Sequence, residues 1–288
     1  MDWNYLLQAL VLALTSAAIL LIATLGLGVV FGLMGVVNLA HGEFIMFGAY
    51  TALTATQHGV PFWLACVLAA AFTGVFGAAV ERLLIARLYG RLLDTMLVTW
   101  GIGLVMYQCA VLLFGTVTPG IGMPLGSVRI GGGVVSSYLL VLVVIAAGLS
   151  VALYLLLTRT GYGVLARAVV QDRTTAAALG IDARRLSCIT FAIGSASAGL
   201  AGAVLLPVIP AAPNMGFALA IKGFLAVVAA GPAIVSGTVL SVLSLGSGSA
   251  MVASYGSRVL GDLLFFGATL LLLCRFPLGV TQGWRLKL

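Results

Sequence analysis

The chain has 288 residues, of which 62% are hydrophobic and only 7% are charged, and its mean hydropathy is +1.23. Soluble domains carry about 25% charged residues, so this composition excludes a water-soluble fold and indicates that the solvent is lipid. The net charge of +7 comes from short loops between apolar stretches, as in membrane proteins with basic cytoplasmic loops, which argues against a nucleic-acid partner.

Long charge-free stretches predict membrane helices. Stretches such as 3–42 and 44–80 contain no charged residue and exceed the ~20 apolar residues that cross a bilayer. Backbone groups in lipid must be paired within the segment, and the alternation of a membrane β-barrel is missing. The sequence therefore predicts an all-α polytopic membrane protein, 1–288 forming one transmembrane domain, with spanning helices at 5–25, 61–80, 95–114, 134–157, 187–206 and 256–275.

Two further apolar stretches, 26–57 and 216–251, are interrupted by glycines and polar residues. Broken helices at membrane depth are tolerated where they line a cavity or are buried in protein, and in transporters they point to the translocation path. We predict two broken or re-entrant segments, giving eight to ten membrane segments, as a weak internal repeat of the same orientation. The interrupting residues are Gly35, Asn38, His41, Gly42 and Glu43 in the first and Lys222, Gly223, Gly231, Pro232 and Gly237 in the second.

The basic residues predict the sidedness of the loops. Segments 81–94, 158–186 and 275–288 hold eleven of the fourteen lysines and arginines, and short basic loops face the cytoplasm. Both termini are therefore placed in the cytoplasm, and 115–133 is an outer, turn-rich connector. The four cysteines stand apart without metal-ligand spacing, so no metal site is predicted.

The first interruption carries the sharpest candidate residues. Ionisable groups inside a membrane segment are expensive and are functional by default. We predict that Asn38, His41 and Glu43 form the break of this helix and line or support the translocation path. The alternative is a structural polar knot that holds the break together without touching solute.

Lys222 is the matching charge in the second interruption. It either pairs with Glu43 in low dielectric, which would neutralise both charges, or extends its ammonium to the outer interface. Arg258 and Asp262 are four residues apart in the last predicted helix, a spacing that favours a structural pair on one helix face.

The loop 159–187 is the most informative hydrophilic piece. Asp172 is a good N-cap residue, helix formers follow as far as Leu179, and Gly180 supplies a stop. These signals predict a short helix on the cytoplasmic side. It is either a surface connector or a coupling helix that docks into a partner protein.

Several motifs resemble the permease subunits of branched-chain amino acid and urea importers. The stretch from Leu93 to Gly101 is closer to urea-type members, whereas Gly216–Phe224 resembles the branched-chain amino acid members. Residues 229–237 depart from the family, which usually has a Gly-Gly-x-Gly-Ser turn there, and the Ser- and Gly-rich 241–257 is also unusual. The motifs shared with both are Gly32-Leu-Met-Gly-Val-Val-Asn-Leu-Ala-His-Gly-Glu-Phe44, Arg167–Asp182, Thr190–Ser195 and Ala198-Gly-Leu-Ala-Gly202.

The resemblance implies one half of an ABC importer in the bacterial inner membrane. Its partners would be a second homologous permease subunit, two cytoplasmic ATPases and an external solute-binding protein. The chain has no phosphate-binding loop, so it is predicted to be no enzyme and to bind no cofactor, with ATP hydrolysed by partner subunits. The residues implied in ATPase coupling are Asp172, Arg173, Ala176, Ala177, Leu179 and Gly180.

The solute stays open at this point between urea or a short amide and a branched-chain amino acid. An alternative function is an ATPase-independent channel for a small neutral solute such as urea. The loop 159–187 favours the importer, because a channel needs no docking element there.

Overall fold

In a computed structural model of the chain, residues 3–116, 120–130 and 133–281 are described, and most of them are helical. A 3-10 turn at Ile85–Arg87 and an antiparallel hairpin of β1 (Ser127–Ile130) and β2 (Gly133–Ser136) accompany the helices. The helices are α1 (Trp3–Met34), α2 (His41–Gln57), α3 (Phe62–Leu83), α4 (Leu92–Phe114), α5 (Ser137–Arg159), α6 (Gly161–Gln171), α7 (Arg173–Ala178), α8 (Ala183–Leu205), α9 (Met215–Ala230), α10 (Ile234–Tyr255) and α11 (Arg258–Arg275).

Six helices in the described residues are long and apolar enough to cross a membrane: α1, α3, α4, α5, α8 and α10. This confirms the all-α polytopic fold with about six spanning helices, but one of the six is not the helix expected. The predicted span at 256–275 corresponds to α11, which is not among the six, and its 18 residues include the charged Arg258, Asp262 and Arg275. The sixth spanning helix is α10 instead.

The second interruption is shorter than predicted, because α10 runs without a break through the Ser- and Gly-rich stretch. The hydroxyls of four of its serines bond back to carbonyls of the preceding turn, as Ser244 does to Leu240 O at 2.9 Å. Such bonds satisfy serine inside an apolar helix. The small polar residues therefore do not interrupt this helix.

Both predicted helix breaks are present. The first occupies residues 35–40 between α1 and α2, and the second occupies residues 231–233 between α9 and α10. Gly35 and Gly231 have φ of +63° and +82°, a region that L side chains rarely adopt. Pro232 then lacks a backbone N–H to continue α9.

The two halves of the membrane domain run in opposite directions. Helix α10 packs antiparallel on α1, with Thr238 against Gly28, in the way that α3 packs antiparallel on α8, with Thr73 against Gly199. Because α1–α2–α3 and α8–α9–α10 each alternate in direction, the second triplet is the inverse of the first. The prediction of a repeat with the same orientation is therefore wrong, and the contacts show an inverted repeat, an arrangement common in transporters.

The short helices of the two triplets, α2 and α9, meet where they begin. A Cβ on Gly216 would overlap the backbone of Gly42, and a Cβ on Gly42 would lie 2.8 Å from the Gly216 carbonyl. Glycine at both positions lets the two backbones touch, as small residues do at helix contacts in lipid. The contact joins the two broken segments at the centre of the bundle.

The first and last described parts of the chain lie at opposite ends of the bundle. The Gln8 side chain lies beside Gly133 of the β-hairpin. At the other end, α10 begins against Gly32 of α1, and Thr281 hydrogen-bonds Ala230 next to this point. The prediction that both termini share the cytoplasmic side concerns residues outside this part of the chain, since the two ends of the sequence, with Arg285 and Lys287, lie outside the described residues.

The segment 115–133 contains a regular element that the sequence did not indicate. The hairpin pairs Val128 with Val135 and Arg129 with Val134, and Ser136 caps α5 by accepting a hydrogen bond from Tyr138 N–H at 3.3 Å. Part of the expected turn-rich connector is therefore a two-stranded sheet that leads directly into a membrane helix.

Candidate functional site

A cavity of about 560 Å³ lies beside the first break, between α1, α2, α4 and α9. Both triplets contribute to it, since α2 belongs to one and α9 to the other. Its walls are mainly apolar, with Leu27, Leu39, Trp100, Leu104, Phe217, Ile221, Phe224 and Leu225. Its polar lining consists of Asn38, Glu43, Tyr107 and Asn214.

The first break is fastened to α1 by His41. The imidazole is buried, and its Nε2–H donates to the Ala23 carbonyl at 2.9 Å. Asn38 is also buried, and its Oδ1 accepts from Ala40 N–H at 3.1 Å, which closes a local turn. The structure thus gives His41 the supporting contact of a polar knot, while Asn38 both shapes the break and lines the cavity.

Thr99 of α4 hydrogen-bonds the other side of the break. It was not identified as a site residue from the sequence. Its buried hydroxyl accepts from Leu39 N–H at 3.2 Å and lies 3.3 Å from the Val37 carbonyl, which it can reach as a donor. A threonine inside an apolar helix was the available signal. Nothing in the sequence, however, pairs it with a segment some sixty positions earlier.

Glu43 is the cavity's only acidic residue among those described. The side chain is half-buried, and Oε2 is covered and has no hydrogen-bond partner among the described residues. A Cβ on Gly103 of α4 would lie 3.3 Å from Oε2, so the missing side chain there makes room for the carboxylate. Glu43 lies in the first turn of α2, where the helix dipole favours a negative charge.

Lys222 does not join Glu43. Its Nζ donates to Asp262 Oδ1 of α11 at 2.5 Å. The Glu43–Lys222 pair, one of the two alternatives for Lys222, is therefore absent. Asp262 pairs with Lys222 and not with Arg258, its predicted partner. The reason is packing: α9 and α11 are neighbours, and a partner on a facing helix displaces one on the same helix.

The Lys222–Asp262 pair lines a second cavity of about 450 Å³ between α1, α9, α10 and α11. Arg258 lines the same cavity, and Lys222 Nζ also lies 5.8 Å from the Phe265 ring centroid. The two cavities thus differ in charge balance, since the acid of the second has a cationic partner and the acid of the first has none among the described residues.

The predicted short helix of the loop 159–187 is α7. Asp172 Oδ1 accepts from Thr174 N–H at 2.9 Å and from Thr175 N–H at 3.1 Å. The hydroxyls and backbone N–H groups of these two threonines hold the pKa of Asp172 well below its usual range. Gly180 ends the helix with φ of +81°, as expected of a left-handed cap.

The predicted coupling residues divide by exposure. Ala176 is buried against the rest of the chain, whereas Asp172, Arg173, Ala177, Leu179 and Gly180 are exposed. Leu179 is 76% exposed, which is a large exposed fraction for an apolar side chain in a hydrophilic loop. One side of α7 therefore packs against the rest of the chain through Ala176, and its other side is exposed.

Arg173 connects α7 to the end of α3. Its guanidinium carbon lies 4.5 Å from the Tyr89 ring centroid, a cation–π distance. The Tyr89 hydroxyl donates to Oε1 of the fully buried Glu81 at 2.5 Å. Burial and the Glu81 carboxylate raise the pKa of the Tyr89 phenol, so it stays protonated and keeps donating.

Membrane-crossing helices in an inverted repeat, with a cavity beside a helix break where the two triplets meet, define a multi-pass membrane transport protein. The chain matches, over residues 9–274, the family described as "Branched-chain amino acid transport system / permease component". It therefore belongs to the branched-chain amino acid ABC permease family, and it is a protein of the bacterial inner membrane.

Curated relatives match along nearly the whole chain. The permease protein BraD of a high-affinity branched-chain amino acid transport system from Pseudomonas aeruginosa is 31% identical, over 95% of each chain. The permease proteins LivH of Salmonella typhimurium and Escherichia coli K12 are 26% and 25% identical, over 96% of this chain and 95% of theirs. No solved structure matches the chain significantly.

Proposed function

We propose that the chain is a permease subunit of an ABC importer that moves a branched-chain amino acid through the cavity between α2, α4 and α9. The observation that carries the proposal is this cavity, where the two inverted triplets meet beside a broken helix. Broken helices expose polar groups at membrane depth only where a path or a protein interior receives them.

The cavity walls favour an amino acid with an aliphatic side chain over urea or a short amide. Leucine and phenylalanine side chains bury an aliphatic group favourably, whereas urea needs hydrogen-bond partners on all sides. The relatives BraD and LivH are named for branched-chain amino acids, which supports the same solute.

The motor belongs to other subunits in this proposal. The chain acts as one permease domain and binds no cofactor, two cytoplasmic ATPases hydrolyse ATP, a homologous permease completes the pore, and an external binding protein delivers the solute. The exposed side of α7, with Leu179 at its end, is the surface that docks into an ATPase. The Arg173–Tyr89–Glu81 contacts pass its movement to α3.

Uptake into proteoliposomes tests the proposal. The chain, its homologous permease and the ATPases are reconstituted with the binding protein outside, and radiolabelled leucine and urea are compared. We expect leucine uptake that requires ATP hydrolysis on the ATPase side. Uptake without ATPases would establish a channel, and uptake of urea alone would refute the solute.

The docking surface is tested by Leu179→Asp in the same vesicles. Placing a charge in an apolar interface leaves that charge unpaired, so ATPase co-purification and uptake should both fall about tenfold or more. Leu165→Asp is the matched control, since Leu165 of α6 is also exposed in this loop. Equal losses for both variants would place the docking surface elsewhere.

A further inference from the structure

The carboxylate of Glu43 lacks a cationic partner among the described residues. Two side chains, Lys222 and His41, could in principle supply a positive charge, but both are engaged elsewhere. Lys222 is occupied by Asp262 at 2.5 Å, and His41 uses Nε2 to donate to the Ala23 carbonyl. None of the described arginines lines this cavity. An ionised carboxylate at membrane depth without a partner costs several kcal/mol, and a cationic group bound in the cavity would offset that cost.

The cavity around Glu43 limits what that compensating group can be. About 560 Å³ is enough for a small organic solute, and the walls are aliphatic and aromatic. A bare metal ion needs several oxygen ligands, and no group of three or more acidic, histidine or cysteine side chains that could hold one exists in the described residues. An organic cation with an apolar body satisfies both the charge and the walls.

We propose that Glu43 binds the ammonium group of the transported solute, so that the cavity admits aliphatic amines and amino acids and rejects solutes without a positive charge. The solute class rests on the proposed function, but the charge requirement rests on Glu43 and the walls alone.

The remaining polar groups of the cavity fit the other end of an amino acid. Asn38 has its Oδ1 occupied by Ala40 N–H, so its NH2 group is the part of the amide able to serve a carboxylate. The side chains of Asn214 and Tyr107 also line the cavity and can donate. These three neutral donors suit the carboxylate of an amino acid, and the acidic Glu43 suits its ammonium group. The cavity therefore complements a zwitterion without a second buried charge on the protein.

Thiol labelling in the assembled transporter tests the proposal directly. The four cysteines, Cys66, Cys109, Cys188 and Cys274, are replaced by serine, and Leu104→Cys places one thiol in the cavity wall. Rates are measured with a cationic trimethylammonium and an anionic sulfonate methanethiosulfonate. We expect the cationic reagent to react about tenfold faster relative to its rate with a free thiol, and Glu43→Gln to remove that difference.

Protection by solutes gives a second readout that leaves Glu43 unchanged. Leucine and 3-methylbutylamine should slow labelling at position 104, whereas 4-methylpentanoate and urea should not. Protection by 4-methylpentanoate equal to that by leucine would overturn the proposal, as would a charge preference that survives Glu43→Gln.

Ser249→Cys in the second cavity is the matched control, because the acid of that cavity, Asp262, is already paired with Lys222 and Glu43 does not line it. Its labelling should not respond to Glu43→Gln. If leucine is not taken up while amines still protect position 104, the assigned solute is wrong and the ammonium site stands.

Discussion

The two helix breaks occupy different places in the inverted repeat and are held in different ways. Residues 35–40 join the first and second helices of one triplet, whereas residues 231–233 join the second and third helices of the other. Side chains of α2, α4 and the break itself hold residues 35–40, with His41 bonded to the backbone of α1, and a cavity with an unpaired acid lies beside them. Residues 231–233 are instead covered by the chain's own later segment, in which Thr281 accepts from Ala233 N–H at 3.1 Å and donates to Ala230 O at 2.6 Å. One break therefore faces a space that a solute can enter, and the other is closed by protein.

The largest expected difference comes from alanine at the two positive-φ glycines. At Gly231 a Cβ would lie 2.5 Å from the Leu278 carbonyl oxygen, whereas at Gly35 nothing lies within 4 Å. Gly231→Ala adds a backbone clash to the conformational strain and should cost about 3 kcal/mol or more. Gly35→Ala bears only the strain, about 1–2 kcal/mol. Thermal unfolding of the assembled complex in detergent measures both, and equal losses would contradict the covered second break.

Removing one hydroxyl at each break should separate stability from transport. Thr281→Val deletes an acceptor and a donor at the closed break and should lower the free energy of unfolding by about 2 kcal/mol, with little change in uptake by the protein that folds. Thr99→Val loosens the break beside the cavity and should reduce leucine uptake more than it reduces stability. The reverse pattern in paired unfolding and uptake assays would exchange the roles of the two breaks.

The smallest expected effect concerns the Lys222–Asp262 ion pair between α9 and α11. The pair is partly exposed, so its coupling should be about 1 kcal/mol. Lys222→Asp combined with Asp262→Lys should regain most of the stability that either change loses alone. Lys222→Glu combined with Glu43→Lys should regain none. Rescue by the second combination would support the Glu43–Lys222 pair that the sequence left open and would contradict the separate cavities.

Local features were predictable because their physics acts within a few residues. The helix from Asp172 to Gly180 depends on a cap and a stop that bond over two or three positions, and the glycines in apolar runs mark the breaks. Features that depend on which helices become neighbours were not predictable. The partner of Lys222 lies 40 positions away and that of Thr99 about 60, and a hydropathy pattern does not say which direction a helix runs, so the repeat was assigned the wrong orientation.

Filling each cavity with a tryptophan tests most directly whether the solute passes beside the first break. Ala220 lines the cavity with Glu43, and Ala250 lines the cavity with Lys222. In proteoliposomes with ATPases and binding protein, Ala220→Trp should abolish ATP-driven leucine uptake, while Ala250→Trp should keep it within about twofold of the unaltered chain. Uptake that survives Ala220→Trp but is lost with Ala250→Trp would contradict this account.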